Sequence, residues 1–481
     1  MYEVMLALSV VVYLAVVAAF VRSGLVSMFH PAFIYLVFHG FVFVLRPIVV
    51  DVMNYDFIYQ IYMFRPTTGD RITAMIATNI GLVAFMFFCM RAGGTPMIFR
   101  QSPAQRAERN IMRRTLPLMM VICVPLGVYS LLTVVDVVTS GVTSMVMKNG
   151  YRVNTTGSGY LTDAMLLLVP VCSLFAWYFR FRLYAFVPLV VFFLLKASTG
   201  GRGAFVIAVV SAAYFYFYDK KMRMPGIRLL ILAGFIGFVF NSVGQDRGYA
   251  LRETLGMKNE YAMAGDGTTR AFFEGMDFAS MEYVEYVVYV VPQRSGTYDY
   301  FLNNLQLLTE PIPRALWPGK PIGAPIQLID YFAYGNPMGM SVTLPGAGWA
   351  ELGWVGVIIW CGLWGWALGR FYRWFVTGPQ DAISVSFYMV SLPVLLVGFR
   401  DGALMTVVRQ GVFYILPVIL MMITRKAMKL PSYAQIQASL ADHAVEQVQP
   451  AVPPSGPVYS PGKANRLRLI NSMAPAPHSA A

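Results

Sequence analysis

The sequence predicts an all-α polytopic membrane protein of about eleven transmembrane helices, within a range of about ten to twelve, with one large loop on the outer face. Three observations carry that expectation. Of 481 residues, 57% are hydrophobic and 13% charged, where an average soluble domain carries about 25% charge. Mean hydropathy is +0.58. Apolar stretches of bilayer-crossing length, about 17–25 residues, recur along most of the chain. Together these exclude an ordinary soluble enzyme, a fibrous protein and a mainly disordered chain.

The spans fall near 4–21, 32–50, 72–90, 116–135, 161–179, 183–197, 204–218, 227–243, 350–369, 383–399 and 404–424. Some are short, and the pair at 183–197 and 204–218 leaves room only for a tight connection. The first span begins MYEVMLALSVV; it holds Glu3 and lacks a basic leader, so it reads as a retained helix, not a cleaved signal. Cys89, Cys123, Cys172 and Cys361 all sit in apolar runs. They read as core or lipid-facing residues, with neither a disulfide framework nor a zinc site expected.

Charge orients the chain. The odd-numbered connections and the C-terminal tail hold 21 basic and 5 acidic residues, while the other side holds 16 basic and 19 acidic. Positive charge gathers on the cytoplasmic side, so the N-terminus is expected outside and the C-terminus inside. The net charge of +13 is then a topology signal, and no nucleic-acid partner is needed to explain it.

The expected organisation is helices one to eight in 1–243, a large periplasmic loop in 244–349, helices nine to eleven in 350–425 and a cytoplasmic tail in 426–481. Connections beyond about 15 residues are uncommon without a function. Within the loop, MEYVEYVVYVVPQ (281–293) fits an interfacial helix, a re-entrant helix or a strand, and periodicity does not decide. Residues 431–481 are rich in Pro, Ala and Ser and read as disordered. No internal repeat is visible, which weakens an inverted-repeat transporter.

Five motifs converge on the outer face. In LLKASTGGRGAF (194–205), Gly200, Gly201 and Gly203 suit an anion nest around Arg202, whose planar fork matches phosphate oxygens; a plain hairpin with a snorkelling arginine is the alternative. In TEPIPRALWPGKPIG (309–323), prolines fix a path that presents Arg314 and Lys320, with Trp317 able to pack on a sugar or a headgroup; a structural strap is the alternative. NSVGQDRGYALRETLG (241–256) places Arg247 and Arg252 near the membrane surface, as an ordinary juxtamembrane segment also would. GAGWAELGWVGVIIWCGLWGWALGR (346–370) sets Glu351 at the entrance of a helix in which Gly365 and Gly369 permit close packing. Glu351 is a solvated cap or, facing arginines, a base or a group that orients a sugar hydroxyl. GFRDGALMTVVRQG (398–411) marks a short turn at Arg400 and Asp401, and sinks Arg409 into the next span, where an arginine usually faces a polar cavity.

Other chemistries find little support. His30 and His39 lie near the first two spans, His443 and His478 in the tail, and no histidine lies in 244–349. No metal site is expected, and His39 reads as a satisfied core histidine. Asp51, Asp56 and Asp70 are too dispersed to grip a divalent ion, and GGRG lacks the length and ending of a Walker loop. Arginines with a few acids at a membrane face suit an anionic lipid-linked substrate, because fixed cations can neutralise a leaving diphosphate without a metal.

The order of spans, the STGGRG turn, PRALWPGKP in a long outer loop and GWAELGWVG opening the next span resemble bacterial oligosaccharide repeat-unit polymerases, the Wzy-type or O-antigen-polymerase-like proteins. The resemblance is architectural over about residues 1–425, local at those motifs, and excludes the tail. It implies an inner-membrane glycosyltransferase working on the periplasmic side, without cofactor or nucleotide sugar. Donor and acceptor would be glycans on undecaprenyl diphosphate, the product a surface or secreted polysaccharide, and a chain-length regulator a further partner beside membrane lipid. By matching positions, Arg202 would bind diphosphate, Arg314 and Lys320 would hold phosphate or acidic sugar, and Glu351 would assist the acceptor hydroxyl. Arg247, Arg400 and Arg409 join them on the charge argument alone. The nearest rival is an O-antigen ligase, in which the resemblance implies a functional histidine in the large loop. A lipid or anionic-solute transporter or flippase is the rival of a different class, although ionisable residues here gather at the outer boundary, with Arg409 and Arg46 as exceptions.

Overall fold

The computed structural model describes residues 1–140, 145–148, 151–154, 161, 163–197, 203–226, 229, 274, 278–312, 316–321, 323–337 and 339–448. Most of the described chain is helical. Among the described residues seven helices are long and apolar enough to cross a membrane, and three shorter apolar helices, Ala164–Tyr178, Leu183–Lys196 and Gly203–Asp219, occupy the positions of three further expected spans. The chain thus has the character of a polytopic membrane protein. The expected span 227–243 lies outside the described residues except at Leu229.

Helix α1 (Tyr2–Arg22) turns Val4, Leu8, Val11, Leu14 and Val21 outward, which in this setting is a lipid face. Next, α2 (Pro31–His39) starts where His30 caps the Ala32 N–H through Nδ1 at 3.1 Å, runs through a π-helical stretch at Gly40–Leu45 and continues as α3 (Arg46–Met53). A short α4 (Phe57–Ile61) precedes α5 (Thr68–Ala92). A capping box opens α5: the Thr67 hydroxyl accepts the Asp70 N–H at 3.1 Å and the Asp70 carboxylate accepts the Thr67 N–H at 2.9 Å. Its 25 residues rise about 37 Å, enough to cross a hydrocarbon core of about 30 Å.

The amphipathic α6 (Pro103–Met112), capped by Ser102, leads into α7 (Leu116–Ser140). A two-stranded antiparallel hairpin, β1 (Met145–Lys148) and β2 (Tyr151–Asn154), follows in a register that pairs Met145 with Asn154 and Lys148 with Tyr151. Every other regular element among the described residues is helical, in line with the all-α expectation. Asn149-Gly150, between the strands in sequence, is the dipeptide that favours a two-residue hairpin. Then come α8 (Leu168–Tyr178), α9 (Val187–Ala197), α10 (Gly203–Asp219) and α11 (Ser280–Val290). The ambiguous segment 281–293 is therefore largely helical. After the one-turn α12 (Gln306–Thr309) come α13 (Thr343–Thr377), α14 (Ala382–Asp401), α15 (Leu404–Ala427) and α16 (Tyr433–Val448).

Helix α16 corrects the reading of the tail, which is helical at 433–448; residues 449–481 lie outside the described residues. Ile436 is buried with Ala104 and Ile111 of α6, and Tyr433 and Leu440 pack beside them. The overall Pro, Ala and Ser content of 431–481 concealed a local apolar stripe at helical spacing.

The centre of the bundle is the pairing of α5 with α13. A Cβ at Gly365 would overlap the Phe85 carbonyl, and one at Gly369 would stand 2.9 Å from the Ala92 Cβ. Glycine at both positions lets the backbones touch, as small-residue helix pairs do in membranes. The opposite side of α13 turns Val355, Ile358, Leu363 and Trp366 outward.

Candidate functional site

Helix α13 is broken near its start. Leu352 (φ −155°, ψ 30°) and Gly353 (φ 58°, ψ −133°) leave the helical region, and the limb 343–351 folds back so far that a Cβ on Gly348 would stand 2.8 Å from the Val357 Cα. In a continuous helix the Ala350 and Glu351 carbonyls would accept bonds from four residues on. Here they accept the Asp299 N–H at 2.9 Å and the Tyr300 N–H at 3.1 Å. The next amide, Phe301 N–H, donates to Glu351 Oε2. Three consecutive amides of the large loop are thus held by the broken end of α13.

Tyr300 (φ 53°) and Phe301 (φ 63°) are left-handed residues with side chains, a conformation that persists only where the surroundings fix it. Glu351 is part of what fixes it. Only 5% exposed, it also accepts the Asn304 amide at 3.0 Å through Oε1. A solvated cap it is not.

The same loop segment reaches the cations. Six positions beyond Asn304, Glu310 stands 3.9 Å from Arg409 Nη1 and 3.4 Å from Lys320 Nζ. Lys320 is 8% exposed, and its Nζ also donates to the Glu310 and Ile312 carbonyls at 2.9 and 3.2 Å. It ties 310–312 to 320 as the strap reading proposes. Arg409, five positions into α15, donates from Nε to Asp163 at 2.6 Å and from Nη2 to the same oxygen. Its side chain keeps 39% exposure. Arg400 is exposed at the end of α14; burial holds the Tyr62 and Tyr283 hydroxyls above their ordinary range, with Arg400 offsetting a small part of that rise, and those two hydroxyls meet at 2.6 Å.

Of the expected site residues, then, Glu351, Lys320 and Arg409 are linked through segment 299–310, and Arg400 lies at the turn joining α14 to α15. Arg202, Arg247 and Arg314 lie outside the described residues. Among the described residues no group of His, Cys, Asp and Glu could hold a metal ion, and the four cysteines are buried thiols. His39 is buried as expected, yet neither ring nitrogen has a hydrogen-bond partner among the described residues.

A second polar cluster was not anticipated from the sequence. Glu282 and Glu285, one turn apart on the buried α11, meet Arg46 and Arg71. Arg46, fully buried, donates to Glu282 Oε1 from Nε at 2.9 Å and from Nη2 at 2.6 Å. Glu285 accepts the Tyr59 hydroxyl at 2.6 Å and lies 3.5 Å from Arg71. Burial pushes the Glu285 carboxyl up to about 7, against the pull of Arg71 and Tyr59. The available signal was a pair of acids in an apolar run together with an arginine inside a span. These pairs dock the loop helix onto the bundle.

A cavity of about 460 Å³ lined by Phe99, Arg100, Gln101, Ser102, Pro379, Tyr433 and Gln437 lies near the far end of α13, so it is separate from the acids and cations above. No protein-family model, curated protein or solved structure matches the chain.

Proposed function

We propose that the chain is an eleven-span inner-membrane glycosyltransferase that polymerises undecaprenyl-diphosphate-linked oligosaccharide units on the face of the 244–349 loop, with a periplasmic N-terminus and a cytoplasmic C-terminus. The supporting observation is the link from Glu351 through 299–310 to Arg409 and Lys320, which puts a carboxyl and cations at one end of the bundle. Arg409 is held by carboxylates and remains partly open, so a phosphate, which an arginine fork can bind through two oxygens, can take their place. Lys320 then acts by shaping the strap that carries Arg314.

In this reading the acceptor hydroxyl loses its proton to a carboxyl as its oxygen bonds the anomeric carbon of the donor. The bond from that carbon to the carrier diphosphate breaks, and its electron pair leaves with the diphosphate, which Arg202, Arg314 and Arg409 neutralise. Arg247 and Arg400 add positive potential around the site. The absence of histidine from 244–349 favours the polymerase over the ligase.

Purified protein in liposomes, given only undecaprenyl-diphosphate-linked repeat units, should build a ladder of chain lengths and release one undecaprenyl diphosphate per join. Arg409→Ala should lower that rate by at least tenfold in protein that still folds and inserts, a loss of about 1.4 kcal/mol in barrier stabilisation. Unextended units with wild-type protein would contradict the proposal.

A further inference from the structure

Asp299 is 1% exposed. Its Oδ2 accepts the Asn303 N–H at 3.1 Å, while its Oδ1 is sealed from solvent with no donor among the described residues. The Asp299 and Glu351 carboxyls lie within hydrogen-bonding reach of each other, and their backbones are joined by the 299–350 and 300–351 bonds. Two buried carboxylates in contact repel and cannot both ionise cheaply, but one proton between them turns the repulsion into a hydrogen bond.

We infer that Asp299 and Glu351 form a proton-sharing carboxyl pair that locks the 299–304 turn to the break in α13. The orphaned Asp299 oxygen is the independent sign of the missing proton. Around the pair stand neutral donors, the Phe301 and Asn303 N–H groups and the Asn304 amide, so each carboxyl is the titratable group that faces the other. Tyr298 comes next, its hydroxyl 2.9 Å from where a Gly353 Cβ would be.

Burial holds the Asp299 carboxyl above its ordinary range, opposed by the Asn303 and Glu351 hydrogen bonds. The sign follows. A group raised in the folded state lends its stability fully below its ordinary pKa and loses it as pH rises through the folded value. The lock is therefore firm at low pH and loosens as pH rises.

The use of the pair in catalysis rests on the transferase reading; its existence does not. In that reading Asp299 is a positioning residue. It keeps Glu351 partly charged, and the pair, carrying one negative charge, becomes neutral when it takes the hydroxyl proton.

Infrared spectra of the full-length protein in nanodiscs test the inference directly. Near neutral pH the wild type should show a protonated-carboxyl band that Asp299→Asn and Glu351→Gln each remove, because an amide then supplies the shared hydrogen and the remaining carboxyl ionises. Glu285 has its own band, which both variants keep. Hydrogen exchange of the Tyr300 and Phe301 amides should accelerate with rising pH, beyond the intrinsic trend, in wild type but not in Asp299→Asn. Unchanged carboxyl bands in either variant, or identical exchange profiles, would overturn the pair. Failure of wild-type protein to extend glycans would remove the transferase reading and leave both of these readouts intact.

Discussion

Arg46 and Glu282 stand 236 positions apart and meet where neither touches solvent. Removing one member of such a pair strands the other, which is far more damaging than replacing both. Glu282→Ala should therefore cost about 3–5 kcal/mol, read as a lower melting temperature in detergent, and adding Arg46→Met should restore part of the loss. Glu285 gives a pH-dependent counterpart. Because burial raises it from 4.5 to about 7, the folded state binds its proton more tightly than the unfolded state, and stability falls as pH rises across that interval. Melting temperature should decline over that range in wild type and decline less in Glu285→Gln; parallel curves would assign the dependence elsewhere. Both glutamates are visible in MEYVEYVVYVVPQ. Their partners are not, since pairing across such separations depends on how the spans pack, which a single sequence does not encode locally.

At the scale of elements, the glycine stripe of α13 was legible because Gly365 and Gly369 recur at helical spacing. The face they present proved to be the contact with α5. Gly365→Val should cost about 1–3 kcal/mol by forcing the helices apart. Gly411→Ala, where an added Cβ meets nothing within 4 Å, should leave melting unchanged or raise it slightly. Equal effects from the two substitutions would show that packing against α5 is not the cause. The break at Leu352–Gly353 was not legible: Gly353 is one glycine among several, and only the loop amides of 299–301 show why the carbonyls of 350–351 are free. The hairpin at 145–154 did carry a signal, Asn149-Gly150, that hydropathy overshadowed. Helix α16 was hidden by the composition of the longer tail around it.

At the scale of the whole molecule, composition and apolar spacing were enough to specify a polytopic helical membrane protein. They could not show which charges meet. Glu351, Lys320 and Arg409 come from three separate stretches, and a loop segment with little hydropathy signal joins them. That segment also supplies Asp299, a residue with no motif around it. Under the proposed function, the end of the bundle that bears this segment is the place where a lipid-linked anion is handled, with glycan polymerisation as its consequence. The most direct test is a deletion strain complemented with wild type or Arg202→Ala, in which surface glycan and carrier-linked intermediates are sized together. Long chains are expected with wild type, and single repeat units with the deletion and with Arg202→Ala at normal protein abundance. Long chains stranded on the carrier lipid in the deletion strain would indicate a ligase instead, and unchanged pools would contradict glycan transfer altogether.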